Sequence, residues 1–403
     1  MALAFTSLSV TEQRLVVLAK DQPILAIVRD TGEDLGWWDR KRRWQRTYGR
    51  FDPGKQRYCT LLFETLGDPQ EICVVEAFET EPPITNAKTI SLADVTLGWL
   101  RLSRFPADQH LSTLPRLLED LHGVSVLRYR PGKRCTLSVR DTLTGRVRFA
   151  KVFNDDRGAA IHQGGELLWQ AARQGELGFE VAEPVSWDSD NKTLWQGCVP
   201  GKPLVTRLLS QDGIALARRM GQACASLAVS LLAPRATFDA DAQCRRTARY
   251  ATELVQRLPS AESGVNTILD KLRIMHFGNR NNGKSPIHGA PHAHQWLDSG
   301  ERLGLVDFDR ICYGDAELDV ATFVAEMDFE DRRVVPVDKI NTAFISGYEN
   351  VYGSLNNKLV TAYRCHKHVA KALKAARSVR MDASAKALRN LQRAWTCLQE
   401  VKV

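Results

Sequence analysis

One stretch of the sequence, residues 287–310, constrains the fold of this chain more than any other. It reads IHGAPHAHQWLDSGERLGLVDFDR, with three histidines near its start and a turn at Asp298-Ser-Gly. An apolar run then delivers Asp307, a residue that follows a buried-strand pattern directly. A carboxylate at the end of such a strand is aimed out of it and suits a hard cation such as Mg²⁺. The stretch therefore has the layout of a catalytic loop followed by a metal-binding loop.

The composition is that of an ordinary globular protein. The chain has 403 residues, of which 44% are hydrophobic and 25% charged, and this length predicts two or three folding units. It contains no run of about 18 apolar residues, so we expect no membrane-spanning helix. The nine cysteines are odd in number, scattered and without a C-x-x-C pair, which predicts reduced thiols and a cytoplasmic location. The first twenty residues lack the features of a secretory leader, so we expect them to belong to the fold.

The order of predicted elements divides the chain into three parts. Residues 1–104 are expected to form mixed strands and turns of unknown role, with strands at 56–64 and 72–80. Residues 105–200 are predicted to form a β-rich lobe, with a hinge at 194–204. Residues 205–403 are predicted to form a helical lobe that contains the 287–310 loop. Helices are predicted at 111–123, 158–174, 212–232, 240–258, 263–275, 317–329, 338–351 and 356–377.

Two short segments of the sequence are similar to each other. RFDPGKQRYCTL at 50–61 matches RYRPGKRCTL at 128–137, with two residues inserted. Such an echo indicates either an internal duplication or the chance recurrence of Pro-Gly turns.

A lysine on a predicted strand points to nucleotide binding. Lys151, in RFAKVF, precedes Glu166 of a predicted helix by fifteen residues. A strand lysine held by a helix glutamate clamps the α- and β-phosphates in kinases. A lone strand lysine is usually a surface residue, but the order of lysine, helix, hinge and loop favours the nucleotide site. The preceding hairpin lacks G-x-G-x-x-G, so Lys133 or Arg134 is expected to supply charge in place of backbone amides.

The hinge offers a place for the base of a nucleotide. Its backbone groups near Gln196 and Cys198 are expected to meet adenine, although a plain connector between domains is the alternative.

From about residue 105 to 330 the sequence resembles the aminoglycoside phosphotransferase and choline kinase group. The resemblance implies an α+β, bilobal, protein-kinase-like fold with a β-rich N-lobe and a helical C-lobe, here preceded by an extra N-terminal α/β segment. It also implies ATP or GTP and Mg²⁺ as cofactors. The motifs that carry it are RYRPGKRCTL, FAKVF followed by DDRGAAIH, VPGKPL, IHGAPHAHQWL and LGLVDFDRICYGDAELDVATF.

The resemblance assigns roles to individual residues of the 287–310 loop and its surroundings. His288 and Gly289 match the family's His-Gly pair, and Gln295 and Asp307 match its metal ligands. The later acids Asp315 and Asp319 match as well, and Asp319 is expected to brace the loop. Ala290 stands where the family has its catalytic aspartate.

Ala290 leaves the chemistry open. The family's carboxylate receives or orients the proton of the substrate hydroxyl, and a methyl group does neither. Loss of a general base costs about 10²–10⁴ in rate. Either the chain no longer performs the transfer, or it uses a replacement base such as Asp309, His292 or His294, or it is an engineered inactive form. The first hypothesis is a nucleotide-binding pseudokinase, or strongly impaired kinase, with a binding or regulatory role. The alternative is an active ATP-dependent phosphotransferase that acts on a hydroxyl of a small molecule.

The expected partners are a nucleotide and a small molecule or protein that the sequence does not identify; neither a membrane nor nucleic acid is expected. His288, His292 and His294 also allow a transition-metal interpretation, but loop residues without a ligand role are the simpler one. The basic stretches 39–50 and 364–380 are expected to be solvated faces, with contact to nucleic acid or to an acidic partner as the alternative. In the first stretch, the neighbouring tryptophans are expected to pack the N-terminal part.

Overall fold

The protein is described from a computed structural model that covers residues 10–84, 86–141, 143–278, 284–328 and 335–400. The expectation for the first residues therefore falls partly outside the described chain, as does the last residue of the helix predicted at 317–329. Three parts pack together within it, and we call them the first unit, the N-lobe and the C-lobe.

The first unit begins with two helices and continues into an antiparallel sheet, the first sheet, with the strand order β1-β2-β3-β5-β4. Its core contains Trp37, Trp38 and Trp44, whose rings meet edge to face. The tryptophans of the basic stretch thus pack the first unit, in line with the expectation. The elements are α1 (Val10–Ala19), α2 (Asp21–Asp34), β1 (Trp44–Phe51), β2 (Arg57–Thr65), β3 (Ile72–Phe78), β4 (Thr89–Asp94) and β5 (Gly98–Arg104).

The helices α1 and α2 were not expected from the sequence, which predicted only strands and turns here. Both are rich in valine, isoleucine and leucine, which also favour strands. In α2, burial falls on Ile24, Leu25, Val28 and Gly32, the spacing of one helix face. The packing of this face against the sheet decides the conformation, because local propensity alone does not.

The N-lobe is built around a second five-stranded antiparallel sheet with the order β6-β7-β8-β11-β10. Helix α4 follows the third strand of this sheet and precedes the fourth along the chain, where the sequence predicted a helix at 158–174. The elements of this part of the chain are α3 (Leu114–Asp120), β6 (Val124–Arg130), β7 (Arg134–Arg140), β8 (Val147–Phe153), α4 (Arg157–Arg173), β9 (Phe179–Glu180), β10 (Pro184–Asp188) and β11 (Thr193–Gln196).

The C-lobe is helical, with short strands around the 287–310 segment. Strands β13 and β16 pair with each other, and β14 and β15 form a hairpin within a small sheet with β12 and β9. The elements are β12 (Lys202–Pro203), α5 (Val205–Leu208), α6 (Gly213–Ala228), α7 (Ala240–Arg257), α8 (Glu262–Gly278), β13 (Ser285–Ile287), β14 (Trp296–Asp298), β15 (Leu303–Leu305), β16 (Cys312–Gly314), α9 (Ala316–Met327), α10 (Val337–Tyr352), α11 (Asn357–Ala376) and α12 (Ala383–Glu400).

The first and second sheets repeat one topology. In each, the fifth strand inserts between the third and the fourth, and every pairing is antiparallel. The register matches too: Thr60 pairs with Glu76 in the first sheet, and Thr136 pairs with Lys151 in the second. These threonines lie in the two similar sequence segments, so the echo corresponds to a structural repeat.

The two sheets stack on each other. Leu62, Ile72 and Val74 of the first sheet share a core with Leu137 and Val152 of the second. Side chains alternate between the two faces of a strand. Lys151 therefore lies on the opposite face of the second sheet, the face toward the C-lobe.

The first unit also contacts the C-lobe directly. The Arg257 guanidinium donates to the Phe51 carbonyl and to Asp52 Oδ1, both at 2.6 Å. The Phe51 amide donates to the Arg377 carbonyl at 2.8 Å, and Val379 enters the tryptophan core. The first unit is thus held by both lobes.

Two expectations from composition concern the whole chain. In the described residues, none of the helices has both the length and the apolar character needed to cross a bilayer. All nine cysteines are free thiols, and Cys198 is exposed.

Candidate nucleotide and catalytic site

Two loops of the C-lobe lie against each other beside the cleft between the lobes, and the second of them lines it through Asp307 and Phe308. The HGA loop, residues 288–295, connects β13 to β14, and the DFD loop, residues 307–309, follows β15. Gly289 has a φ of +80°, and a Cβ there would lie 2.9 Å from the Arg310 carbonyl oxygen. Only glycine fits this conformation without strain, and its absent side chain lets the two loops approach each other.

Asp319 braces the HGA loop from beneath, as the sequence predicted. Its Oδ2 and Oδ1 accept the backbone amides of His288 and Gly289 at 2.7 and 2.8 Å. Burial raises the pKa of this carboxyl to about 7, although the two amide hydrogen bonds oppose that shift. The acid at the start of α9 therefore fixes the backbone conformation of the loop.

The His288 ring is fully buried and neutral. Its Nδ1 accepts from the Ala290 amide at 3.3 Å, so its Nε2 is the nitrogen that donates to the Val306 carbonyl at 3.2 Å. Burial lowers the pKa of His288 to about 4. The histidine thus joins the HGA loop to the strand that delivers the DFD loop.

Lys151 meets the two acids of the DFD loop. Its Nζ lies 3.0 Å from Asp307 Oδ1 and 2.7 Å from Asp309 Oδ1, and Arg134 Nη1 lies 2.7 Å from Asp309 Oδ2. Burial opposes ionisation of Asp307, but the Lys151 ammonium holds the pKa of this carboxyl below its usual range. The four side chains form one charge network across the cleft.

Asp307 is also held in an unusual backbone conformation, with a φ of +72°. A non-glycine residue in this region costs on the order of 1–3 kcal/mol and persists where its surroundings fix it. Here Lys151 holds one carboxylate oxygen, while Gln295 Nε2 donates to the other at 3.3 Å. Phe308 stacks on Phe179 on the adjacent side of the loop.

Glu166 does not clamp Lys151. Its carboxylate lies 3.7 Å from His162 Nδ1, and 52% of its side chain is exposed. Helix α4 instead presents Ile161, Gly165 and Leu168 to the cleft. The sequence placed Glu166 on the correct helix, but the face that turns toward the cleft depends on how that helix packs. Asp309 occupies the electrostatic role that Glu166 was expected to fill.

Of the two basic residues expected near the phosphates, Arg134 lines the cleft and Lys133 does not. The Lys133 side chain is exposed at its turn. The pKa of its ammonium is nevertheless lowered by partial desolvation and by the neighbouring charges of Arg50 and Arg130. The Gly132 amide donates to Asp108 Oδ2 at 2.7 Å, so this turn uses a backbone donor internally. Of this hairpin's two candidate basic side chains, Arg134 is therefore the one at the cleft.

At the other end of the cleft lies the hinge. Gln196, Gly197 and Val199 line the cavity, whereas the Cys198 side chain is exposed and its Sγ lies 3.5 Å from the Val199 carbonyl. The cavity measures about 330 Å³ and is apolar at this end. This size falls within the range of small-molecule sites.

The remaining candidate residues are placed as follows. The Gln295 oxygen accepts from the His292 amide at 3.0 Å, so its nitrogen, not its oxygen, faces Asp307. His292 is partly buried, and burial lowers the pKa of its ring while Glu326 opposes this. His294 is exposed. Within the described chain, His288, His292 and His294 do not form a cluster of converging metal ligands.

The comparison with protein families decides the relationship. A model of the phosphotransferase enzyme family matches residues 137–356, more than half of the chain. The chain belongs to this family. The membership confirms the resemblance that the motifs indicated. A search of curated proteins finds no match to this phosphotransferase-family chain.

Solved structures show the same fold at low sequence identity. Choline kinase LicA from Streptococcus pneumoniae is 13% identical, with a TM-score of 0.52, and the match covers 71% of this chain and 97% of that one. The GDP complex of wild-type aminoglycoside 2'-phosphotransferase-IIIa is 14% identical, with a TM-score of 0.50 and coverage of 71% and 97%. A choline/ethanolamine kinase family protein from Mesorhizobium loti is 16% identical, with a TM-score of 0.50 and coverage of 72% and 92%. The α+β, bilobal, kinase-like fold class is thereby confirmed.

Proposed function

We propose that this protein is a nucleotide-binding member of the phosphotransferase family in which phosphoryl transfer is lost or strongly impaired. One observation carries the proposal. The cleft unites Lys151, Arg134 and the two acids of the DFD loop, while position 290 offers only a methyl group. Groups for binding are assembled, but the group that would orient an acceptor proton is missing.

The residues of the cleft divide the work of binding. The apolar end beside Gly197 and Val199 takes the base, and Arg134 and Lys151 take the phosphates. Carboxylates are the ligands that Mg²⁺ prefers, so Asp307 and Asp309 fit that ion, which would neutralise phosphate charge when bound. Gln295 joins them only if its amide rotates, because its oxygen is bonded to the His292 amide.

Asp309 is poorly suited to replace the missing base. One of its oxygens contacts Lys151 and the other contacts Arg134. Two cations beside a carboxylate stabilise its charged form, so Asp309 has a low affinity for a substrate proton. The GDP complex of a structural neighbour is consistent with a nucleotide in this cleft.

The alternative function, an active phosphotransferase, rests on His292. Its ring is partly buried on the HGA loop, and burial lowers its pKa, which favours the neutral form that a general base requires. If His292 is the base, His292→Gln should abolish ATP turnover. Asp309→Asn should only reduce ATP turnover, because it weakens nucleotide binding.

Nucleotide binding is tested by thermal unfolding with ATP or GTP and Mg²⁺. A ligand that binds only the native state stabilises it by about 2.7 kcal/mol at one hundred times its Kd. Asp307→Asn keeps the side-chain shape and tolerates the positive φ, and it should remove the Mg²⁺-dependent part of the shift. Asp338→Asn, at an exposed position of α10, is the matched control. If neither nucleotide shifts the melting temperature of the wild-type protein, the proposal fails.

Restoring the family residue tests the defect itself. Ala290→Asp should raise ATP turnover by about 10²–10⁴-fold, because the rest of the HGA loop is braced in place. Phosphate release is the measurement, with Ala290→Asn as the uncharged control of similar size. Wild-type turnover equal to that of Ala290→Asp would show that a replacement base already operates.

A further inference from the structure

A second cavity, of about 210 Å³, adjoins the HGA loop and the residue that follows the DFD loop. Gly289 and Arg310 line this cavity, whereas their neighbours Asp307 and Phe308 line the cleft. The HGA loop thus lines the second cavity through Gly289, and the DFD loop lines the cleft through Asp307 and Phe308. We call the second cavity the basic pocket.

Helix α11 supplies most of the charge in the basic pocket. Lys367, Lys371 and Lys374 are spaced by four and three residues, so they lie on one face of the helix. This face belongs to the basic stretch 364–380, which the sequence predicted to be solvated. The structure turns these three lysines toward a cavity beside the HGA loop.

Two arginines add to this charge. Arg246 of α7 and Arg310 also line the pocket, and the Arg246 guanidinium is fixed over the Phe238 ring and donates to the Gln243 side chain. Among the described lining residues, the only acid is Glu326, which pairs with Lys371 at 2.5 Å. Five cations thus face a single anion.

The basic pocket is partly open to solvent, because Lys374 and Arg310 are exposed whereas Lys371 and Arg246 are partly buried. Lys367 is partly buried, and its pKa is lowered to about 8, chiefly by burial; Glu326 opposes the shift, and Arg310, Lys371 and Arg246 add to it. His292 and Asp319 of the catalytic surroundings lie within electrostatic reach of Lys367. A bound anion would relieve the repulsion between these cations.

We infer that the basic pocket is the acceptor site of the fold and that it takes a small hydroxylated anion, with a phosphate or carboxylate group held by Lys367, Lys374 and Arg310. This inference rests on the proposed function, because a nucleotide bound in the cleft defines where an acceptor must lie. The cavity, at about 210 Å³, suits a compact metabolite.

The same charges exclude the opposite class of ligand. A polycationic molecule such as an aminoglycoside would bring ammonium groups against cations that are not matched by acids, and like charges at such contacts oppose binding. Membership of the phosphotransferase family therefore does not carry a cationic acceptor over to this chain.

The test uses inorganic phosphate and ribose 5-phosphate as probes, with ribose as the neutral control, measured by titration calorimetry on the full chain. Both anions should bind, and ribose should not. Lys367→Gln combined with Lys374→Gln should weaken anion binding about tenfold or more, because charge-assisted hydrogen bonds are lost. Lys358→Gln, exposed on the same helix outside the pocket, should leave it unchanged.

A second set of measurements separates the two cavities. Lys151→Met removes a cation of the cleft, so it should weaken Mg²⁺–ATP binding and spare the phosphate site of the basic pocket. The double lysine variant should show the reverse pattern and keep the wild-type melting temperature. Anion binding that responds to Lys151→Met but not to the double variant overturns the inference and leaves the proposed function standing. Absent ATP binding together with lysine-dependent anion binding overturns the proposed function instead. Equal binding of ribose and ribose 5-phosphate, or no anion binding at millimolar concentrations, also overturns the inference.

Discussion

The first and second sheets share a strand order and a register, yet the same strand position holds opposite charges. Glu76 of β3 and Lys151 of β8 each lie opposite a threonine of the second strand. Glu76 is only 5% exposed and is bonded to Arg101 and Arg57. Lys151 reaches into a cleft of about 330 Å³. One topology therefore supports a buried ion pair in one copy and a charge network that lines a cavity in the other.

What covers each sheet accounts for the difference. The Glu76 face of the first sheet packs against the back of the second sheet through Ile72 and Val74. The Lys151 face of the second sheet meets the C-lobe across a cavity. A charge that is covered must find all its partners within the protein, whereas a charge that lines a cavity can also interact with a molecule that enters it. The comparison teaches that the strand scaffold itself does not specify function.

The largest expected effect comes from breaking the covered pair. Glu76→Ala leaves Arg101, itself 6% exposed, without its buried partner, and this should cost about 3–5 kcal/mol of unfolding free energy. The equivalent change in the second sheet, Lys151→Met, should cost clearly less, because Arg134 still pairs with Asp309 and the cleft admits water. Urea unfolding of both variants measures the contrast. Equal losses would mean that the two positions play the same structural role.

A smaller effect concerns how the stability of the first unit and of the C-lobe depends on pH. The chain has no histidine before His110, whereas the C-lobe buries His288. The folded-state pKa of His288, about 4, lies below the unfolded value of 6.5. The unfolded state therefore binds the proton more readily, and stability falls as the pH drops from 6.5 to 4. The loss from this residue should approach about 3 kcal/mol.

The measurement is urea unfolding across that pH range for the wild-type protein and for His288→Asn, which removes the titrating group. The variant should lose less stability on acidification than the wild type. Hydrogen exchange should show that β13 opens before β3 does. Parallel pH dependence in the two proteins would exclude His288 as a cause.

The smallest expected effect concerns the basic stretch of the first unit. Arg42 donates to the Asp68 carbonyl at 3.1 Å on an exposed surface, and Arg43 is exposed. Charge reversal at both should change stability by no more than about 0.5 kcal/mol. Trp38→Ala, which removes a buried ring, is the positive control. A large loss in the arginine variant, or a partner that wild-type protein captures and the variant does not, would show that this stretch has a role beyond solvation.

Much of the site could be predicted because it depends on local sequence. His288, Gly289 and Asp307 lie within one short segment, so their spacing fixes the HGA and DFD loops, and Asp319 follows soon afterwards. The partner of Lys151 could not be predicted in the same way. Glu166 and Asp309 are both acids in suitable elements, and the choice depends on the rotation of α4, which buries Leu168 and leaves Glu166 outside.

The sequence by itself determined the family, the bilobal fold, the position of Lys151 on the third strand, and the absence of an acid at position 290. These follow from residue types at short range, where strand alternation and loop spacing act directly. Only the tertiary structure decided that the two similar sequence segments belong to two sheets of the same topology, stacked on each other. It also decided that α1 and α2 are helices and that the lysines of α11 face a cavity beside the HGA loop. These depend on which faces are buried when distant segments pack, and neither propensity nor spacing along the chain specifies that.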